Sequence, residues 1–166
     1  QDKIVRYGLP SQKEKCQVVH HKAMSLCYDE KYEQARWVVH LITKDVEFGN
    51  VRRTNDFRSD PLVLTGTATF DDYVNTGYDR GHLAPSADFR WSKTALSESY
   101  FYSNMSPQKP ELNRERWAEL ENLVRDWAVL NEEVFVVTGG ILKEGLPVIK
   151  GSNTVSIPES FYKVIV

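Results

Sequence analysis

Thr76-Gly77-Tyr78-Asp79-Arg80-Gly81-His82-Leu83-Ala84-Pro85 sets an acid, a guanidinium, a glycine and an imidazole side by side. A guanidinium grips a phosphate with a planar fork. An imidazole exchanges a proton near neutral pH. Gly81 permits either an unusual backbone geometry or a close approach by a ligand. These are parts for attacking a phosphodiester, yet alone they read first as a salt-bridged turn. The neighbouring sequence has to decide between the two.

Downstream, Ser92 is suited to cap a short helix over residues 93–99. Tyr100-Phe101-Tyr102-Ser103-Asn104-Met105 is short, aromatic and strand-like, and Ser106-Pro107-Gln108 should end it. A long amphipathic helix is expected over 111–130, with Trp117, Leu120, Val124, Trp127 and Leu130 at three-to-four spacing. Asn113 falls in its first turn and Glu121 eight positions later, on roughly neighbouring faces. Glu133-Val134-Phe135-Val136-Val137-Thr138-Gly139-Gly140 has the continuous apolar character of a buried strand. Its glycines lack the spacing and the Lys-Ser/Thr of a phosphate loop. Residues 147–150, 154–157 and 161–166 read as further strands.

Upstream, residues 1–15 read as a polar arm with a turn at Gly8-Leu9-Pro10-Ser11. Strands are expected within 17–28 and over 35–43, paired as a hairpin. His20, His21 and His40 fall on them. Adjacent strand residues face opposite ways, so His20 and His21 cannot share a metal, and all three are read as structural. Residues 44–76 are irregular and carry Arg52, Arg53 and Arg58 around Phe57, more cationic charge than a plain connection requires. Cys16 and Cys27 lack metal-site spacing and are read as two buried free thiols rather than one disulfide.

A length of 166 residues suits one domain with a real core. The formal net charge of −2 excludes a stoichiometric nucleic-acid coat but not an enzyme that touches a few phosphates. No run approaches the length of a membrane span.

Taken in order, Tyr78–Pro85, Tyr102–Gln108 and Leu112–Glu121 resemble the DNA/RNA non-specific endonucleases, and the likeness extends over about 36–166. The resemblance implies an α+β fold: a central, mostly antiparallel sheet with helices, carrying a ββα-metal (His-Me finger) motif in a single nuclease domain over 1–166. It implies hydrolysis of DNA and RNA to 5′-phosphate ends with little sequence specificity. His82 would be the general base and Asn113 the one direct protein ligand of Mg²⁺, with Mn²⁺ or another divalent cation able to substitute. Glu121 would hold metal-bound water, Arg53 would stabilise phosphate charge, and Arg80 and Asn104 would support the site; Asp79 becomes a structural partner. Expected partners are nucleic-acid substrates and an inhibitor or immunity protein; homodimers occur in the family. A secreted or periplasmic location is expected, as is a C-terminal truncation, because members usually continue past the Phe161–Val166 strand. Two rival readings remain, a catalytically silent binding module and a toxin-type effector nuclease.

Overall fold

The computed structural model describes residues 2–11 and 13–166. Five antiparallel strands form the central sheet in the order β1-β2-β3-β6-β7: β1 (Gln17–His20), β2 (Met24–Asp29), β3 (Gln34–Thr43), β6 (Glu133–Gly140) and β7 (Phe161–Ile165). The strand period of two decides which residues face which layer. On β3, Trp37, Val39 and Leu41 point to one face with Phe135 and Val137 of β6. Val38 points to the opposite face and packs with Met24, Leu26 and Leu83, and Ile42 points the same way.

The first face is covered by helix α1 (Asp2–Tyr7), inside the segment expected to be a polar arm. Ile4 is buried against Trp37, and the Tyr7 ring stacks on Phe135 at 4.9 Å. Two apolar side chains in a mostly polar segment were enough to dock a helical turn. The second face carries the rest of the molecule. Helix α4 (Trp117–Leu130) lays Val124 and Ala128 on Ile42, Val134 and Val136. Trp127 and Leu130, expected on its apolar stripe, are instead 37% and 79% exposed, because the buried face runs through 117, 121, 124 and 128.

A two-stranded ribbon, β4 (Asp79–His82) with β5 (Met105–Gln108), is tied through Asp79 to Asn113 and Arg114 in the turn that leads into α4, so strand, strand and helix follow as a β-β-α unit. The opening motif is therefore a strand rather than a turn. Its partner begins where the expected strand was to end: Tyr102–Asn104 form a 3₁₀ turn, and Met105–Gln108 carry the pairing. Buried Tyr100 and Tyr102 turn inward there, and the Asn104 side chain takes backbone partners that a ladder would otherwise use. Ser106 Oγ donates to Gln34 Oε1 at 2.7 Å and ties the ribbon to β3. Gly81 is required by a close approach, but from the protein itself: a Cβ there would lie 2.2 Å from Gln108 Oε1.

The helix over 93–99 is present as α3 (Lys93–Glu98), with Ser92 Oγ accepting from Ala95 N. Within 44–76 a 3₁₀ turn (Lys44–Phe48), a single bridge from Arg58 to Phe101 and the short α2 (Phe70–Tyr73) interrupt irregular chain. The two strands expected at 147–150 and 154–157 reduce to one bridge, Val148 to Ser156.

Cys16 and Cys27 form a disulfide, with Cα atoms 5.4 Å apart, and are not free thiols. The register pairs Val18 with Cys27, so Cys16 sits diagonally across the ribbon on the same face, within ordinary disulfide reach. That proximity comes from strand register, which spacing in the chain does not display. The three histidines are structural as expected: His20 Nδ1 meets Ser25 Oγ, His21 Nε2 meets Asp60, and His40 Nε2 meets Asp88, at 2.7–2.8 Å.

Candidate active site

β4 runs from Asp79, paired with Gln108 at one end of the ribbon, to His82 at the other, and its alternation sets Arg80 and His82 on one face. Antiparallel pairing with β5 sets His82 opposite Met105, and Asn104 precedes it. The Asn104 amide is fully engaged: Nδ2 donates to Ala84 O (2.9 Å) and Ser99 O (2.8 Å), and Oδ1 accepts from Ala84 N (2.9 Å). Leu83 N also donates to Asn104 O. Asn104 thus clamps the chain just after His82 and has no polar atom left over for a ligand.

The His82 ring packs edge-on against Tyr100 at 4.9 Å and against Phe57 at 5.9 Å. Its Nε2 is buried and has no hydrogen-bond partner, while the residue as a whole is half-buried. Burial, with the Arg53 and Arg80 guanidinium charges close by, lowers its pKa from 6.5 to about 3. The imidazole is therefore neutral over the physiological range.

Arg80 Cζ lies 3.8 Å over the Phe57 ring and 5.8 Å from that of Phe70. Arg53 lies 5.8 Å over Tyr100 and is exposed. Arg53, Phe57, Arg80 and Asn113 line one open cleft of about 380 Å³. His82 adjoins it from behind Phe57 and is not itself among the lining side chains.

Asn113 stands on a π-turn (Leu112–Arg116) that leads into α4. A π-turn closes i→i+5 bonds and takes more residues per turn than an α-helix, which brings Asn113 round toward the face carrying Glu121. Asn113 Nδ2 donates to Asp79 Oδ2 at 3.0 Å, and Arg114 holds the same carboxylate through Nε (2.9 Å) and Nη2 (2.8 Å). Burial pushes the Asp79 carboxyl up, but these hydrogen bonds outweigh it and hold it below the usual range. A carboxylate only accepts, so it fixes the NH₂ end of the Asn113 amide and leaves carbonyl Oδ1 for a cation. Among the described residues no three His, Cys, Asp or Glu side chains converge as a metal cage. One carbonyl oxygen suits Mg²⁺, which keeps most of its waters and needs few protein ligands.

Glu121 falls on the buried stripe of α4. Burial raises its pKa to about 7, against the opposing pull of Lys163, Arg125 and Arg53. Arg53 acts on both Glu121 and His82, which places the three in one electrostatic neighbourhood, although Glu121 does not line the cleft. Lys163, on β7, was missed in the sequence. Its Nζ donates to Thr138 Oγ1 (2.9 Å) and to the carbonyl of Leu83 (3.3 Å), next to His82. Burial lowers its pKa to about 8. The available signal was a lone lysine in the apolar Phe161–Val166 run. The Asp79–Arg114 pair carried no such mark.

Comparison with known proteins agrees with this geometry. The chain is 35% identical to human mitochondrial endonuclease G over 98% of its own length and 58% of that protein's. It is 31% identical to the Xenopus laevis mitochondrial nuclease EXOG (99% and 48%) and 30% identical to the Saccharomyces cerevisiae mitochondrial nuclease (97% and 53%). It thus spans about half the length of these relatives. A crystal structure of an EndoG/EndoGI complex, concerned with EndoG inhibition, superimposes with a TM-score of 0.87 at 33% identity, covering 98% of this chain and 71% of that one. These relatives are mitochondrial, which overturns the expected secreted or periplasmic location. The family model for DNA/RNA non-specific endonucleases matches residues 1–166, and the chain belongs to that family.

Proposed function

We propose that the chain is a Mg²⁺-dependent, sequence-nonspecific endonuclease that hydrolyses DNA and RNA to 5′-phosphate ends. The observation that carries this is one cleft lined by Arg53, Arg80 and Asn113, with the His82 ring adjoining it behind Phe57. A phosphodiester repels an anionic nucleophile, so charge must be neutralised and a water activated together. Arg53 and Arg80 bind the phosphate, and their fixed charge meets the charge that develops in the transition state. His82 takes a proton from the attacking water. Its Nε2 is buried, so Nδ1 is the nitrogen left for this. When the anionic phosphate sits between the arginines and the ring, it offsets the charge that depresses His82 and makes it a stronger base. Asn113 Oδ1 would hold the cation, which when bound would supply positive charge against the phosphate. Glu121, ionised, accepts a hydrogen bond from a water of the site. Asn104 and Asp79 position His82 and Asn113.

The grip falls on phosphate rather than base edges, which fits low sequence specificity. A protein inhibitor is a fitting second partner, since the superimposable EndoG structure is of a complex with EndoGI. The test is cleavage of plasmid DNA and of an RNA transcript with Mg²⁺, with and without chelator. Cleavage should stop with chelator and in His82→Ala; full cleavage by His82→Ala would remove it as the base.

A further inference from the structure

Phe70 is 55% exposed and stands at the same cleft as Arg53, Arg80 and Asn113. A phenyl ring beside two guanidinium groups in one cleft offers an apolar face next to the charges that would hold a phosphate. It is also held in place. The Thr69–Asp72 capping box closes α2: Asp72 Oδ2 accepts from Thr69 N at 2.7 Å. Asp72 is fully buried and is anchored again by Asn153, through N at 3.1 Å and Nδ2 at 2.7 Å. The ring therefore has a fixed backbone beneath it, unlike a side chain on a loose loop. On its inner side lies the Arg80 guanidinium, which is itself stacked on Phe57. Arg80 thus links Phe70, at 5.8 Å, to Phe57, at 3.8 Å, and the Phe57 ring in turn meets His82 edge-on at 5.9 Å.

We propose that Phe70 is a stacking platform for a nucleobase of the strand whose phosphate is held by Arg53 and Arg80. The inference rests on the nuclease reading above and deepens it. Every base presents a π-face, so a ring platform tolerates any sequence, and it needs no hydrogen bond to a base edge. In a duplex those faces are already covered by neighbouring bases. The platform therefore favours unpaired strands, in DNA and RNA alike, without selecting sequence.

The test separates this from the nuclease reading by measuring binding without turnover. A single-stranded oligonucleotide with one 2-aminopurine, and the duplex of the same sequence, are titrated in chelator against wild-type, Phe70→Ala and Phe70→Trp. Wild-type should quench the probe in the single strand. Phe70→Ala should weaken single-strand binding roughly five- to a hundred-fold, in line with the loss of one base–aromatic stack. Duplex binding should change less than about two-fold, and Phe70→Trp should restore the quench. Steady-state cleavage with Mg²⁺ should then show KM for single strands raised in Phe70→Ala at nearly unchanged kcat. Equal loss on both substrates, or no loss, would overturn the platform while leaving the nuclease reading intact. Platform binding by a wild-type protein that cleaves nothing would overturn the nuclease reading alone.

Discussion

At the scale of single residues, burial sets how His82 and Glu121 respond to pH. The folded pKa of His82 lies below its ordinary 6.5. An unfolded chain thus binds a proton that the folded one refuses, and the stability linked to His82 is lost as pH falls below about 6.5. Glu121 has the opposite sign. Its folded pKa is raised to about 7, so the folded state holds the proton longer, and the associated stability is lost as pH rises from 4.5 through 7. Glu121→Gln copies the protonated form. We expect its melting temperature at pH 8 to exceed wild type by ~2–4 °C, if relief is of the order of 1 kcal/mol, while nuclease activity falls. A lowered melting temperature would show that the carboxylate is satisfied in the fold. The acid limb of kcat/KM should follow Glu121 rather than His82, lying at or below pH 7, and Glu121→Gln should remove it. For His82→Ala we expect a loss of ~10²–10⁴-fold in rate, the range for a positioned base, with Mg²⁺ still raising the melting temperature.

At the scale of elements, the π-turn and strand β4 cooperate to aim one amide. Asn113→Ala should abolish the Mg²⁺-dependent rise in melting temperature along with most activity; an unchanged rise would place the cation elsewhere. Asp79→Ala should weaken the same metal effect through a freed Asn113 amide, with the fold itself little altered because Arg114 is exposed. Strand β6 carries a different constraint. A Cβ on Gly139 would lie 2.3 Å from the backbone oxygen of Arg36, which cannot swing away as a side chain would. The strand rather than the catalytic chemistry explains that glycine.

At the scale of the whole molecule, a net charge of −2 coexists with a cationic cleft, so attraction to nucleic acid is local and weakly steered. With Arg53 and Arg80 as the main phosphate contacts, log KM should rise with log salt with a slope of only about 1.5–2. A slope near ten would reveal a much wider interface. The Cys16–Cys27 bridge closes a short loop at the sheet edge, away from the cleft. Chain entropy for a separation of 11 residues puts its contribution at about 3 kcal/mol. Reduction should lower the urea midpoint accordingly and leave kcat nearly unchanged for protein that remains folded.

The sequence by itself determined the family and the antiparallel α+β architecture, and of the residues it singled out Arg53, Arg80 and Asn113 line one cleft. Asp79–His82, Asn113 and Glu121 are local strings and spacings, and local strings survive in one dimension. The tertiary structure alone decided how those residues are used. Asn104 spends its whole amide on the backbone of Ala84 and Ser99, and Asp79 turns Asn113. Lys163 reaches Leu83 from a strand 80 positions away. The disulfide, the docking of α1 and the exposed ring of Phe70 belong to the same class. Each depends on strand register or on a long-range contact, where packing fixes which side chains meet, and neither spacing nor composition encodes such a meeting. The Asp79-Arg80-Gly81-His82 string was thus legible in one dimension, while the contacts each of its residues makes follow from the strand pairing and packing around it.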